Sequence, residues 1–423
     1  MDEEGLAEIS ARYIRFADTE ARGRSPLYEE LARAVAGNRE ALGFLSTLPD
    51  LKQQPNLLLA AVRHLFGTPA GWTEFRQALQ TNPDAIRSLM LERSTQTNEP
   101  GRCATLLPVL ARLPQPLALI EVGTSAGLCL MPDLYGYDYG RKVIRAPAMA
   151  LEPPVFRCLA SETTPLPTTL PQVVWRAGLD LRPIDASDDS QVAWLETLVW
   201  PEQTARLANL RAALKIAATV KPRVVKGDLR GSDLVQLCNE APNDATLVIF
   251  HTAVLDYVSD LGDREAFAEQ AMRLSPYWVS NEFPRVFPSI ATRAGTSWPP
   301  GRFLLSANGS PVAWTDPHGA SLEWIADEAW AIGGGLPSLA RDAIRSQFHL
   351  CSFATACVLN SRQAPFGLAT GRLNEGTARW AREDRIRSRE PQLSASRLRC
   401  KPACRSSEPG EFSETHKLEI DHD

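Results

Sequence analysis

Residues 117–128 constrain the fold of this chain more than any other stretch. The sequence L-A-L-I-E-V-G-T-S-A-G-L places an apolar run, with an acid near its end, directly before two closely spaced glycines. The run predicts a buried strand, and the glycines predict a tight turn that opens into the N-terminus of a helix. Main-chain N–H groups at such a turn face a ligand. The stretch therefore predicts a parallel sheet with a ligand site after its first strand.

Changes of pattern divide the chain into three predicted parts. Residues 1–115 are predicted to form a helical domain or cap: Ile9, Tyr13 and Phe16 share one helical face, and Ser25-Pro26 is typical of a helix start. Residues 116–332 alternate strands with helices, which is typical of a parallel sheet with crossover helices. Residues 333–423 carry few large apolar side chains towards their end, so we expect a largely disordered tail.

Five parallel strands and a closing hairpin are predicted in the middle part. The strands are expected near residues 117–122, 173–181, 223–226, 245–250 and 277–280, with helices near 189–218 and 263–274. Asn308-Gly309 between two apolar runs predicts an antiparallel hairpin, because both residues tolerate a positive φ. Residues 132–172 are rich in proline and are predicted to be an irregular insertion.

Polar residues follow every predicted strand. They are Glu121 with its glycine loop, Asp180, Asp228, His251 with Thr252, and Asn281 with Glu282. Ligands bind at the carboxyl ends of parallel strands, so these side chains predict a crevice for a polar ligand. Within it, Gly123 and Gly127 would allow close approach, and Ser125 with its neighbouring N–H groups would donate. Asp180 would accept both hydroxyls of a ribose, or else cap a helix or turn.

The remaining strand-end residues each have two interpretations. Asp228 would accept from the exocyclic amine of adenine, or lie in a surface turn. His251 could act as a general base because its ordinary pKa is near neutrality, with Glu282 as a weaker catalytic candidate; His251 is equally a structural partner. The polar segment 96–102 is either a plain loop or brings Asn98, Glu99 and Arg102 to a site. His64 is predicted to be a packed core histidine.

The strand-end motifs resemble those of the class I S-adenosylmethionine-dependent methyltransferases. The resemblance covers about residues 116–325 and rests on E-V-G-T-S-A-G, G-L-D-L-R-P, K-G-D and the closing hairpin. It implies a Rossmann-like, doubly wound, mostly parallel α/β sheet with one reversed strand. It also implies S-adenosylmethionine as the cofactor, bound along Glu121, Gly123, Gly127, Asp180 and Asp228. The second acid usually follows the glycine loop by about 20 residues, which leaves Asp138 as the nearer alternative to Asp180.

More of the chain resembles a bacterial family, the proteins grouped as domain of unknown function 2332. The resemblance covers about residues 10–330 and rests on segments that include S-P-L-Y-E-E-L-A, Q-T-N-E-P-G-R-C, G-L-D-L-R-P-I-D, W-L-E-T-L-V-W-P-E-Q and F-H-T-A-V-L-D-Y. No established activity comes with this family, so the resemblance supports the boundaries rather than the chemistry.

Two other functions compete with methyl transfer to a small-molecule acceptor. Gly123–Gly127 also spells G-x-S-x-G, in which Ser125 would be the nucleophile of a serine hydrolase, with Asp256 or Asp316 and then His318. The helical character of the preceding hundred residues and the acid at Glu121 both disfavour that interpretation. The third candidate is an inactive nucleotide-type fold that serves as a regulatory or interaction module.

Composition excludes several classes of protein. A net charge of −5 argues against nucleic acid as a partner, and no apolar run approaches the roughly 20 residues that span a bilayer. The acidic start lacks the pattern of a secretory signal, so we expect a cytoplasmic protein. Eight irregularly spaced cysteines, among them Cys351, Cys357, Cys400 and Cys404, predict free thiols and no metal site. The sequence does not define an oligomeric state.

Overall fold

A computed structural model describes residues 3–148, 151–295 and 297–326. The chain divides into two compact units, Met1–Leu350 and Cys351–Asp423, and all described residues belong to the first. The predicted tail, and the four cysteines at 351, 357, 400 and 404, lie outside the described residues.

Residues 3–116 contain helices and no strands, as predicted. The helices are α1 Glu3–Phe16, α2 Pro26–Ala36, α3 Arg39–Leu45, α4 Pro55–Phe66, α5 Trp72–Thr81, α6 Pro83–Glu92 and α7 Cys103–Leu110. The hydroxyl of Ser25 accepts the N–H of Tyr28 at 3.1 Å and caps α2, whose first residue is Pro26. Ile9, Tyr13 and Phe16 are buried in a hydrophobic core that belongs mainly to these helices.

A nine-stranded, mostly parallel sheet follows, beside a small three-stranded sheet. The strands are β1 Leu117–Val122, β2 Gly136–Asp138, β3 Val143–Ile144, β4 Val155–Arg157, β5 Leu159–Ala160, β6 Val173–Asp180, β7 Arg223–Lys226, β8 Thr246–Thr252, β9 Tyr277–Glu282, β10 Phe303–Ala307, β11 Ser310–Thr315 and β12 Ser321–Trp324. The large sheet has the order β5-β12-β11-β10-β9-β8-β1-β6-β7. Its strands β7, β6, β1, β8 and β9 are parallel, as predicted, and β10 and β11 form the predicted hairpin at Asn308 and Gly309.

Helices cover both faces of the parallel strands. They are α8 Asp189–Leu198, α9 Thr204–Val220, α10 Asp233–Glu240, α11 Leu261–Leu274 and α12 Pro288–Arg293. On β1, Leu117 and Leu119 belong to the core on one face, and Ile120 and Val122 to the core on the other. The single helix predicted near 189–218 is two helices, because Pro201 disfavours a helical Trp200 and the chain turns there.

The segment after the first strand differs from both sequence-based predictions. Residues 128–130 form one short 3-10 turn instead of a helix, since Met131 precedes Pro132 and leaves the helical region at φ −120°. The predicted irregular insertion forms β2–β5: β3, β2 and β4 make the small sheet, and β5 pairs with β12. Tyr137 is fully buried there, with its hydroxyl donating to the carbonyl of Pro132.

Polar contacts join the helical region to α8 and to the segment that follows it. The carboxylate of Glu202 accepts from the hydroxyl of Ser25 at 2.6 Å and from the N–H of Leu27 at 3.1 Å. His64, predicted to be a core residue, is half-buried and contacts the hydroxyl of Thr197 at 3.2 Å. These contacts fix the helical region next to the carboxyl ends of the strands.

Candidate functional site

A cavity of about 620 Å³ lies at the carboxyl ends of β1, β6, β7 and β8. The register explains its position: Val122 lies opposite Leu179 of β6 and His251 of β8, and Asp180 lies opposite Lys226 of β7. The strands therefore end together, and the turns that follow them line one space. The volume is that of a site for a small molecule or a cofactor.

The glycine loop 123–127 forms one wall of this cavity. Gly123 and Gly127 have φ values of 74° and 73°, a conformation that favours glycine. The space beside each is filled by protein: an added Cβ would lie 2.0 Å from Val254 Cγ2 at Gly123 and 2.9 Å from Pro222 Cγ at Gly127. Gly127 does not line the cavity. The two glycines therefore serve the turn and its packing, and contact with a ligand stays a prediction.

The N–H groups of the glycine loop are all used within the protein. Those of Gly123 and Thr124 donate to the carbonyl of Leu179, and that of Gly127 donates to the carbonyl of Thr124. The N–H of Ser125 donates to Asp180 at 2.8 Å, and that of Ala126 donates to Asn98 at 3.1 Å. The expected free donors at a helix N-terminus are therefore absent from residues 123–127, because a 3-10 turn follows and these N–H groups already have acceptors, most of them outside the loop.

Residues 94–99, which we call the strap, cross the glycine loop from the helical region. Asn98 donates to the hydroxyl of Ser125 at 3.0 Å, and that hydroxyl donates to Gln96. Gln96 donates in turn to the carbonyl of Arg182. Of the two interpretations of segment 96–102, the structure supports the one that brings Asn98, Glu99 and Arg102 to the cavity.

Asp180 stands beside the glycine loop at the end of β6. One of its carboxylate oxygens accepts the N–H of Ser125 and the other accepts the N–H of Arg182 at 2.7 Å. Asp138, the alternative acid, lies in the small sheet, where it accepts the N–H of Gly140, and it does not line the cavity. The geometry thus favours Asp180 over Asp138.

Asp228 lines the rim of the cavity, where it is paired with Arg230. Its oxygens lie 2.6 Å and 3.0 Å from the guanidinium nitrogens of Arg230, and Arg230 also donates its main-chain N–H. The side-chain and main-chain hydrogen bonds from Arg230 lower the pKa of Asp228 to about 2. Any ligand amine at Asp228 would share an acceptor that Arg230 already uses.

His251 and Glu282 come together, but they do not line the cavity. Nδ1 of His251 lies 2.7 Å from Glu282, and the two side chains are 0% and 2% exposed. The ring of His251 packs against Trp278, Phe267 and Phe287. A general base must reach its substrate, so the catalytic role predicted for these two residues has no support in this geometry.

The carboxylate of Glu282 also positions part of the cavity wall. Glu282 also accepts the N–H groups of Val254 at 2.9 Å and Leu255 at 3.2 Å. The side chain of Val254 in turn fills the space beside Gly123. Glu282 is therefore a positioning residue for the wall of the cavity.

A buried ion-pair network that sequence analysis did not assemble lies under the strap. The carboxylate of Glu99 is 2.6 Å from Arg206 Nε and 3.3 Å from His318 Nδ1, and its other oxygen accepts the N–H of Gly101. Burial would raise the pKa of Glu99, but the charges of Arg206, His318 and Arg102 outweigh it and hold the pKa at about 2. In the sequence, only Glu99 before Pro-Gly-Arg indicated this network, because its partners Arg206 and His318 come from distant segments.

Arg102 completes this network at the cavity. Its guanidinium donates to the carbonyls of Pro317 at 2.8 Å and Thr252 at 3.2 Å. Gly101 packs so closely on the turn at 316–319 that an added Cβ would lie 2.7 Å from the carbonyl oxygen of His318. The strap, the end of β8 and the turn at 316–319 between β11 and β12 are thus held together.

Glu121 is buried at the floor of the cavity. It is 4% exposed and accepts from the hydroxyl of Thr124 at 2.7 Å. Burial, followed by the neighbouring Cys129, raises the pKa of Glu121 well above its ordinary value. The floor of the cavity therefore holds a carboxyl group whose neutral form is favoured.

The residues of the alternative serine triad are dispersed. The hydroxyl of Ser125 bonds the amides of Gln96 and Asn98. Asp256 pairs with Arg285 at 2.6 Å, and His318 contacts Glu99. Among the described residues no histidine bonds Ser125, so the part of the chain in view assembles no Ser-His-Asp triad.

Searches for a metal site and a membrane span give negative results for the described ranges. There, no three or more His, Cys, Asp or Glu side chains are grouped so as to hold a metal ion. Among the described residues, no helix has the length and apolar character to cross a membrane.

Comparisons with known proteins give a family and no closer relative. No curated protein and no solved structure matches the chain. A family model described as an uncharacterized protein conserved in bacteria (DUF2332) matches residues 10–324, which include most of the helical region, the strap and every strand that the structure describes. The chain therefore belongs to this DUF2332 family of bacterial proteins.

Proposed function

We propose that this protein binds S-adenosylmethionine in the 620 Å³ cavity and transfers its methyl group to a small-molecule acceptor. One observation carries the proposal. The parallel strands run in the order β7-β6-β1-β8-β9, so the chain reverses its direction of progress between β1 and β8. The cavity opens at this switch point, where Rossmann-like sheets bind nucleoside cofactors.

The polar groups around the cavity suit the nucleoside part of this cofactor. Each oxygen of Asp180 accepts one main-chain N–H, which leaves each with capacity for a ribose hydroxyl. Leu181 follows directly and is 62% exposed at the rim, where the flat face of an adenine ring would cover it. Asp228 and Arg230 would lie beside the edge of that ring.

The glycine loop favours a cofactor without phosphate groups. Phosphates of nucleotides are usually held by free N–H groups at such a loop and the helix that follows it. Here residues 123–127 have no free N–H, and a 3-10 turn replaces the helix. S-adenosylmethionine carries a ribose and an adenine but no phosphate, so it does not need the free N–H groups that this loop lacks.

Methyl transfer requires little beyond alignment of the acceptor with the sulfonium group. The acceptor atom forms a bond to the methyl carbon while the carbon–sulfur bond breaks, and the sulfur keeps the electron pair. A proton carried by the acceptor atom would pass to solvent through the open mouth of the cavity. The acceptor would reach this centre from the side of the strap and Tyr257, which is 81% exposed at the mouth. His251 and Glu282 would contribute through the position of the wall at Val254.

Calorimetric titration tests the proposal with four ligands. We expect S-adenosylmethionine and S-adenosylhomocysteine to bind with micromolar dissociation constants, and NAD⁺ and ATP to give no binding heat. Binding of NAD⁺ or ATP alone would contradict the argument from the glycine loop. Absence of binding by all four, with the protein shown to be folded, would overturn the proposal.

A serine-directed fluorophosphonate probe tests the alternative. We expect no labelling of Ser125, because its hydroxyl has amide partners and no base. Labelling that disappears in Ser125→Ala would restore the hydrolase hypothesis.

A further inference from the structure

Two cationic side chains meet at the mouth of the cavity, where the helical region approaches the sheet. Lys52 lies between α3 and α4, and Arg182 follows β6. Lys52 Nζ is 3.4 Å from the hydroxyl oxygen of Ser94, and Arg182 Nη1 is 2.7 Å from the same oxygen. One hydroxyl at the start of the strap therefore holds two positive charges from distant parts of the chain side by side.

The hydrogen bonds leave this group rich in donors. A serine hydroxyl has two lone pairs and one proton. The cations occupy both lone pairs of Ser94, and no described residue accepts its proton. Lys52 also donates to the carbonyl of Arg93 at 2.6 Å, and the side chain of Arg182 makes no second hydrogen bond within the described ranges. Several donors thus converge on one place, where their acceptors are the neutral hydroxyl of Ser94 and the carbonyl of Arg93.

The charges at this place are not balanced by protein. Neither the ammonium group of Lys52 nor the guanidinium group of Arg182 has a carboxylate oxygen within 4.0 Å among the described residues, and the nearby Arg93 is paired with Glu92. Burial, and then the charge of Arg182, lower the pKa of Lys52. Like charges held together destabilise a fold unless an anion offsets them, and charge-assisted hydrogen bonds to such an anion are strong.

We propose that Lys52, Ser94 and Arg182 form an anion site that binds a carboxylate or phosphate group of the molecule entering the cavity. Ser94 and Arg182 line the cavity, as does Leu51, which is 80% exposed next to Lys52. The molecule recognised here has an anionic group beside an apolar part. Where the proposed function holds, on which this assignment rests, that molecule is the methyl acceptor, since the helical region encloses the acceptor side.

Thermal unfolding with anions tests the site on the full chain. Inorganic phosphate and acetate are compared with chloride at equal ionic strength. We expect phosphate or acetate to raise the Tm of the wild type, and the rise to be lost in Lys52→Met and Arg182→Met and reduced in Ser94→Ala. Lys215→Met, an exposed cation on α9, is the matched control and keeps the rise. Without added anion, Lys52→Met unfolds at or above the wild-type Tm, because a repulsion is removed.

The outcomes separate this site from the cofactor site. An equal rise in all variants, or none with either anion, would overturn the anion site. Titration with S-adenosylmethionine identifies the source of the anionic group: we expect Lys52→Met to bind it as the wild type does. A tenfold loss of its affinity would assign the cations to the cofactor's own carboxylate and overturn the acceptor assignment. If the wild type binds no S-adenosylmethionine, the proposed function fails, while the phosphate result still decides the anion site.

Discussion

The acids that follow β6 and β7 differ sharply from the acid at the end of β9. Asp180 and Asp228 line the cavity, whereas Glu282 is 2% exposed beneath the residues that follow β8. All three stand at carboxyl ends of parallel strands in one sheet. What differs is the cover: Val254, Leu255 and an aromatic cluster close over Glu282 and His251. Position at a strand end therefore makes a residue a candidate, and the turn above it decides whether a ligand can reach it.

The largest expected effect is the loss of the buried acid. Glu282→Ala leaves His251 and two main-chain N–H groups without their acceptor. Removing one partner of a buried pair costs about 3–5 kcal/mol, measured as the free energy of unfolding in urea. Glu240→Ala, which removes an exposed partner of Arg223, is the control and should cost under about 1 kcal/mol. Equal costs would show that the burial of Glu282 has no energetic consequence.

Low pH should reduce the stabilisation that the ion-pair network of Glu99 provides, by a somewhat smaller amount than Glu282→Ala costs. The pKa of Glu99 is about 2 in the folded protein against an ordinary 4.5, so its stabilisation is present above pH 4.5 and is lost as the pH falls towards 2. This corresponds to about 3 kcal/mol at neutral pH. The difference in unfolding free energy between wild type and Glu99→Gln should shrink as the pH falls from 6 to 3 and should vanish near pH 2. A difference that does not change with pH would contradict the ionised network.

A methyl group added to the glycine loop should lower the free energy of unfolding, because Val254, which follows β8, fills the space beside Gly123. Gly123→Ala places a Cβ 2.0 Å from Val254 Cγ2 at a φ of 74°, and we expect a cost of about 2–3 kcal/mol. Val254→Ala in the same chain should recover part of it, since the clash is removed and the backbone strain stays. Additive costs in the double variant would show that Val254 does not pack on the loop.

The smallest effect is expected at the open rim. Asp228→Asn removes an exposed ion pair with Arg230, and solvent screens such pairs. The free energy of unfolding should change by about 0.5 kcal/mol or less, measured by urea denaturation at neutral pH. A cost near that of Glu282→Ala would show that the exposed acid Asp228 and the buried acid Glu282 do not differ in their contribution to stability.

The sequence predicted local structure better than it predicted exposure. The first strand, the order of the polar strand ends and the turn at Asn308-Gly309 follow from apolar periodicity and turn chemistry, which are local properties. Burial of His251 depends on Trp278, Phe267 and Phe287, which come from three later segments and meet only in the fold. The tertiary packing that closes the site was therefore not predictable from one strand end.

Two further differences have the same origin. The glycine turn predicts a helix at 128–130, but Pro132 restricts Met131 and only a short 3-10 turn forms. The link between Glu99, Arg206 and His318 joins residues more than a hundred positions apart, and no spacing in the sequence reports it. In contrast, the sequence favours Asp180 over Asp138 because Asp180 stands at a predicted strand end; Asp180 lines the cavity and Asp138 does not, and contact with a ribose stays a prediction.

The central claim is that the open acid at β6, and not the buried acid at β9, contacts a nucleoside cofactor. The most direct test is calorimetric titration of S-adenosylmethionine into Asp180→Asn and Glu282→Gln, with Asp138→Asn as a matched acid outside the cavity. The account predicts that Asp180→Asn weakens binding at least about tenfold, a loss of about 1.4 kcal/mol, while the other two variants bind as the wild type does. Loss of binding in Glu282→Gln with full binding in Asp180→Asn would contradict it.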